Sequence, residues 1–148
     1  MVEQTVRHID TIKLREMLDR QKGKMKLLLS FCVHCGLCAE SCFLYMGHGK
    51  DPKYIPAYKA IHSLGRLYRE KGKIDRAFLE EIREIIWRHC VLCMRCYCPL
   101  GIDIPSMIAM ARSICRSQGV YGIYPHSIGA PYEQGDTNMK VESNNDHS

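Results

Sequence analysis

Cys90-Val91-Leu92-Cys93-Met94-Arg95-Cys96-Tyr97-Cys98-Pro99 is the stretch on which the reading of this chain turns. An earlier window pairs with it: Cys32-Val33-His34-Cys35-Gly36-Leu37-Cys38-Ala39-Glu40-Ser41-Cys42. Together the two windows hold eight of the nine cysteines. The first runs C-x2-C-x2-C-x3-C, the spacing with which thiolates hold a cubane iron–sulfur core, and the second closes on Cys-Pro, as such runs do. Two windows of this kind imply two 4Fe–4S clusters.

Thiolates are the soft ligands that iron and inorganic sulfide require. Where two such runs occur in one chain, the fourth cysteine of each ligates the cluster of the other. On that pattern Cys32, Cys35 and Cys38 join Cys98 on one cluster, while Cys90, Cys93 and Cys96 join Cys42 on the other. Each cluster then ties together segments distant in the chain, so loss of iron should unfold the domain. Gly36 allows the close turn that the first loop needs, and Pro99 turns the chain away from the metal.

The second window departs from the pattern, because only Tyr97 separates Cys96 from Cys98. Three readings stay open. Cys98 reaches its cluster on a shorter arm, or the cluster accepts altered geometry; Cys115 takes its place; or three cysteines hold that site, with a labile iron or a 3Fe cluster. Cys115 falls on an apolar helical face and reads as a structural thiol. His34 reads as a neighbour of the first cluster, since four cysteines already fill that site. Of the cations near the windows (Lys24, Lys26, Arg88, His89 and Arg95), Arg95 is the one expected beside a cluster, because it lies inside the ligand loop. Zinc is the rival metal, since C-x2-C pairs also build zinc ribbons.

Size and charge narrow the class. A chain of 148 residues supports one domain with one core. Its first twenty or so residues have charges throughout and no apolar h-region, and grouped C-x2-C spacing outside a secretory context favours metal over disulfides. A reducing compartment, the cytoplasm, is expected. The longest apolar run, Leu27-Leu28-Leu29-Ser30-Phe31, is far short of a membrane span. The formal charge is +5. Eight bound thiolates remove about eight charges and two oxidised cores return roughly two each, so the loaded chain stands at about +1. The basic balance then offsets the clusters and gives no nucleic-acid signal.

Around the windows the pattern is helical throughout. From Asp10, Ile12, Met17, Leu18, Gln21 and Met25 recur at helical spacing, with a break expected at Gly23 and a restart over 24–29. Gly47 and Gly49 mark a loop. Asp51 and Pro52 then open a helix with Ile55, Tyr58, Ile61, Leu64, Leu67 and Tyr68 on its apolar side, to be closed by Gly72. Asp75 caps the next, with Phe78, Leu79, Ile82, Ile85 and Ile86 inward and Trp87 at its end; Tyr45 and Tyr97 are expected to pack in the core or shield a cluster. Asp103 caps a last helix over 104–118, with Met107, Ile108, Ala111, Ile114 and Cys115 inward and Gly119 as stop. Two helices between the windows do not fit the β-hairpins of a compact bacterial ferredoxin. The expected fold is all-α: an α-helical ferredoxin with two cluster-binding loops at helix ends. Its divisions are an N-terminal arm and helix (1–24), the two-cluster domain (25–119) and an extended tail (120–148), in which Tyr121, Ile123, Tyr124, Ile128 and Tyr132 are placed to lie along a partner.

The first window, the segment Asp51-Pro52-Lys53-Tyr54-Ile55-Pro56-Ala57-Tyr58-Lys59 and the run from Cys90 to Asp103 together resemble the C subunit of heterodisulfide reductase. They are closer still to the N-terminal ferredoxin part of related iron–sulfur subunits in membrane redox complexes of sulfate reducers. The resemblance covers about residues 25–118. It implies an electron-transfer subunit working between a flavin or haem subunit and a catalytic subunit built on Cys-Cys-Gly motifs. No such motif occurs here, so that catalytic unit is expected on another polypeptide, or the chain is a shortened relative. Any membrane association would be peripheral, through a partner subunit. No nucleophile–base pair or Gly-rich phosphate loop suggests catalysis by this chain alone. The alternatives from other classes are a zinc-stabilised interaction module and an iron or oxygen sensor with one labile cluster.

Overall fold

The computed structural model describes residues 8–70 and 74–122. Among the described residues there are helices and no strands, so the fold is all-α. Gly72, the expected helix stop, and the tail residues Ile123, Tyr124, Ile128 and Tyr132 lie outside them.

The chain enters through α1 (Thr11–Arg20), capped by the Asp10 carboxylate, which accepts from the Lys13 N–H at 3.0 Å. Its inward residues are Leu14 and Leu18, one turn apart, whereas Ile12, expected inward, is 71% exposed. Ile12 lies two residues before Leu14 and so on the far side of the helix from the Leu14–Leu18 stripe. A break at Gln21 (φ −121°), ahead of Gly23, separates α1 from the next helix. Gly23 lies inside α2 (Lys22–Phe31), which delivers the chain to Cys32.

After the first window comes a short helix, α3 (Phe43–Gly47), where a loop was expected. Asp51 does cap, accepting from Lys53 N–H at 3.1 Å, but it opens only a 3-10 turn, Pro52–Tyr54. The long helix starts later, at Pro56, whose missing N–H costs nothing in a first turn. It runs as α4 (Pro56–Ala60), a π-helical turn over Ile61–Gly65, and α5 (Arg66–Arg69). Asp75 caps α6 (Arg76–Arg83), accepting from Phe78 N–H at 2.8 Å, and a second π-helical turn, Glu84–Arg88, carries the chain to the second window. Such turns insert an extra residue into the helical ladder and re-aim the residues beyond it.

The last helix, α7 (Ile104–Ser117), is capped by Asp103, which accepts from Ser106 N–H at 3.2 Å. It ends on Gly119 at φ 70°, with the Val120 N–H returning to the Cys115 carbonyl at 2.9 Å. α7 is the spine of the core: Met107, Ile108, Ala111, Ile114 and Cys115 are all buried on it, with Leu64, Leu67, Leu79, Ile82 and Ile86 around them. Each such large aliphatic side chain contributes roughly 1.5–3 kcal/mol by leaving water. α1 belongs to the same core, through Leu14 and Leu18, through the Tyr68 hydroxyl donating to the Leu18 carbonyl at 2.8 Å, and through the Asp10 N–H donating to Gln118 Oε1 at 2.7 Å. Trp87 is buried with the guanidinium of Arg112 over its ring at 5.2 Å. Tyr97, by contrast, is 62% exposed and does not pack in the core.

Candidate metal centre

The two windows begin with one backbone. In each, the third and fifth residues take positive φ: His34 (55°) and Gly36 (76°) in the first, Leu92 (56°) and Met94 (65°) in the second. These residues coil the chain tightly, and in the second window the turn directs the Leu92 N–H at Cys90 Sγ, 3.4 Å away. A non-glycine residue held there costs on the order of 1 kcal/mol or more, a strain of the sort that accumulates at functional loops. Beyond this shared turn the loops differ. Leu37–Ala39 forms a 3-10 turn leading to Cys42, while the second window passes through Tyr97 to Cys98, where a tight turn returns the Gly101 N–H to the Cys98 carbonyl at 3.0 Å.

Ser41 joins the windows. Its hydroxyl donates to the Cys38 carbonyl at 2.7 Å and accepts from the Tyr97 N–H at 3.1 Å. Together the windows enclose two recesses, and Ile104, at the start of α7, walls both. The first, of about 490 Å³ and partly open to solvent, is lined by Cys32, Cys35, Cys38 and Cys98. The second, of about 410 Å³, is lined by Cys90, Cys93, Cys96 and Cys42. Cys98 therefore faces the first-window cysteines despite its short arm. Cys115 lines neither recess; it is fully buried in α7, and burial pushes its thiol up to about 12. Among the described residues no three His, Cys, Asp or Glu side chains converge on a single ion. The sulfurs ring a space instead.

The surroundings of the two recesses differ. The first is apolar, walled by Leu28, Leu29, Ala60, Ile61 and Met107. There burial raises the Cys38 thiol, with the charges of Cys32 and Cys35 adding to it and a backbone hydrogen bond from Ala57 opposing. The second recess contains Lys59, which is 2% exposed. Its ammonium donates to the His89 carbonyl at 3.0 Å and lies 3.6 Å from Cys42 Sγ. Burial pushes the Cys96 thiol up to about 12, helped by Cys90, Cys93 and Cys42 and opposed by Lys59. Arg112 adds a second cation on this side, donating to the Cys90 carbonyl at 2.6 Å and the Ile86 carbonyl at 2.9 Å. Arg95, the cation expected here from sequence, is exposed and lines neither recess.

His89 packs its ring 4.9 Å from Tyr54, which stacks on His48 at 4.2 Å. Its Nδ1 is buried with no hydrogen-bond partner, and burial, then the charges of Lys53 and Lys59, hold the imidazole below its ordinary range.

These residues fit a polynuclear, net-anionic group. Four sulfurs around each recess supply the soft donors that iron requires. Thiolates crowded as around Cys96 need cations to hold them, and a buried ammonium facing those sulfurs needs nearby negative charge.

The family described as a 4Fe-4S dicluster domain matches residues 28–102, which contain both windows. The Hdr-like menaquinol oxidoreductase iron-sulfur subunit 2 of Archaeoglobus fulgidus is 32% identical, over 72% of this chain and 21% of its own length. The Hdr-like menaquinol oxidoreductase iron-sulfur subunit of Archaeoglobus profundus is 31% identical over the same shares. The chain thus matches about a fifth of the length of these curated relatives. No solved structure matches it significantly.

Proposed function

The chain belongs to the 4Fe–4S dicluster domain family, and from that premise we propose that it carries electrons between redox subunits. One cluster is held by Cys32, Cys35, Cys38 and Cys98, the other by Cys90, Cys93, Cys96 and Cys42. The observation that supports this most is the partition of the sulfurs: each recess draws three from one window and one from the other.

Each 4Fe–4S cluster, when bound, accepts and returns one electron at a potential set by charge, hydrogen bonds to sulfur and exposure. The protein's part is to hold and insulate. The paired turns at His34/Gly36 and Leu92/Met94 present cysteine sulfurs to each recess. The aliphatic wall of the first recess keeps water back, and Ile104 lines both sites.

Apolar residues rim both recesses and are exposed: Val33 (68%) and Leu100 (52%) at the first, Val91 (52%) and Met94 (65%) at the second. Exposed apolar rims are the surface that a protein partner covers. The proposed partners are a flavin- or haem-carrying subunit and a Cys-Cys-Gly-type catalytic subunit. The relatives' names point to a quinol-linked assembly. Among the described residues no helix is long and apolar enough to cross a membrane, so contact with one would run through a partner.

The test is anaerobic loading with iron and sulfide, then iron counting and redox titration. About eight irons per chain and two reversible one-electron couples are expected. A well-folded, colourless protein that takes up zinc in place of iron would end this reading.

A further inference from the structure

The two recesses are alike in most of what sets a cluster's potential. Each has one exposed cysteine, Cys35 or Cys93, and each has a backbone N–H directed at sulfur, from Ala57 to Cys38 or from Leu92 to Cys90. They differ in charge. Among the residues lining the first recess there is no lysine, arginine or carboxylate, and its one histidine, His34, is exposed, while the second holds the buried ammonium of Lys59. None of the ion pairs among the described residues includes Lys59. Its nearest polar partners are the His89 carbonyl and Cys42 Sγ. A buried cation without a carboxylate is costly unless something else nearby is negative, and among the described residues lining this recess the candidates are the thiolates and whatever they bind.

We propose that Lys59 orders the two sites, making the cluster of the second recess the first to be reduced and so the resting place of the electron within the pair. This rests on the cluster reading above. Reduction adds one electron from an external one-electron donor and makes the site one unit more negative; no bond forms or breaks. A fixed positive charge that is itself held out of water, as Lys59 is, favours the more negative state of a neighbouring group. Electrons therefore move downhill from the first recess to the second, both of which Ile104 lines. Lys59 is a positioning residue here: it acts on the cluster through Cys42 and through its own field.

The experiment is an EPR-monitored redox titration of the anaerobically loaded chain. Cys35→Ser and Cys93→Ser, which perturb one site each, assign the two couples. In the unmodified protein the higher-potential couple should belong to the second recess. Lys59→Met, which removes the charge with little loss of volume, should weaken that couple's reduction by about tenfold, some 59 mV for one electron, and leave the other couple in place. Lys59→Arg should keep most of the order. Assignment of the higher couple to the first recess would overturn the proposal without any Lys59 variant, as would a Lys59→Met titration in which both couples move equally or neither moves. If no reducible clusters form in the unmodified chain, the cluster reading itself fails; if both form but are not ordered this way, only the role of Lys59 fails.

Discussion

Through their first five residues the two windows trace one backbone, with left-handed residues at the third and fifth positions, and after the third cysteine they part. The first keeps three residues before Cys42 and relaxes its fifth position with Gly36; the second keeps only Tyr97 before Cys98 and strains Met94. The shared turn needs only a short local sequence, because it has to place three sulfurs and little else. The fourth cysteine lining each recess comes from the other window, so its placement depends on how α4 and α7 bring the windows together. The repeated loops give the chain two similar sites, and the helices around them make those sites unequal.

The sharpest way to break the comparison is to remove the crossing ligand of one site. Cys42→Ala should empty the second recess and leave the first loaded, halving the iron bound per chain. Loss of the first-recess EPR signal instead would show that the ligands are not crossed. A smaller effect is expected at the fifth positions. Gly36→Ala should destabilise the loaded protein by roughly 1 kcal/mol, while Met94→Gly should be neutral or stabilising by up to about 1 kcal/mol, since glycine relieves the positive φ. Equal losses from the two substitutions, in chemical denaturation, would mean that the turns are not equivalent. Ser41→Ala removes the hydrogen bond joining the windows, along with the one to the Cys38 carbonyl, and should cost about 1 kcal/mol, read as a lowered denaturation midpoint.

The smallest expected effect contrasts the ninth cysteine with the other eight. The Cys115 thiol is pushed by burial from 9.0 to about 12. Between those values the unfolded chain releases a proton that the folded chain keeps, so folding stability is unaffected below the lower value and falls as pH rises through the window. Cys115→Ala should therefore lower stability at neutral pH through the cavity it leaves, yet flatten the alkaline decline of the loaded protein. Denaturation midpoints measured across that range, with and without the substitution, check the sign. In the metal-free chain Cys115 should also be the last thiol to react with an alkylating reagent, and the exposed Cys35 and Cys93 the first.

Much of this was legible in the sequence, for identifiable reasons. Cysteine spacing is a local code, and the capping carboxylates Asp10, Asp51, Asp75 and Asp103 mark the turns they hold. What failed was the phase of the helices and the identity of the buried cation. The buried stripe of the long helix is Pro56, Lys59, Ala60, Ser63, Leu64, Leu67 and Tyr68, a regular helical spacing that includes a lysine and a serine. A search for apolar residues alone passes over both, and selects Tyr58 and Ile61, which are only half-buried. The π-helical turn at Ile61–Gly65 shifts the register further, and neither π turn has a signature in composition. Arg95 looked better placed than Lys59 because proximity in sequence stood in for proximity in space. The short arm at Cys98 raised a doubt that sequence alone could not resolve, because the distance to Cys32, Cys35 and Cys38 depends on the packing of the helices.

The crossed ligation of the two clusters stands or falls most directly on iron and acid-labile sulfide counted per chain in Cys98→Ala, anaerobically loaded. The expected result is about four of each, in a cluster that a further Cys93→Ala abolishes and a further Cys35→Ala leaves intact. About eight of each in Cys98→Ala, or a surviving cluster lost with Cys35 and kept without Cys93, would contradict it.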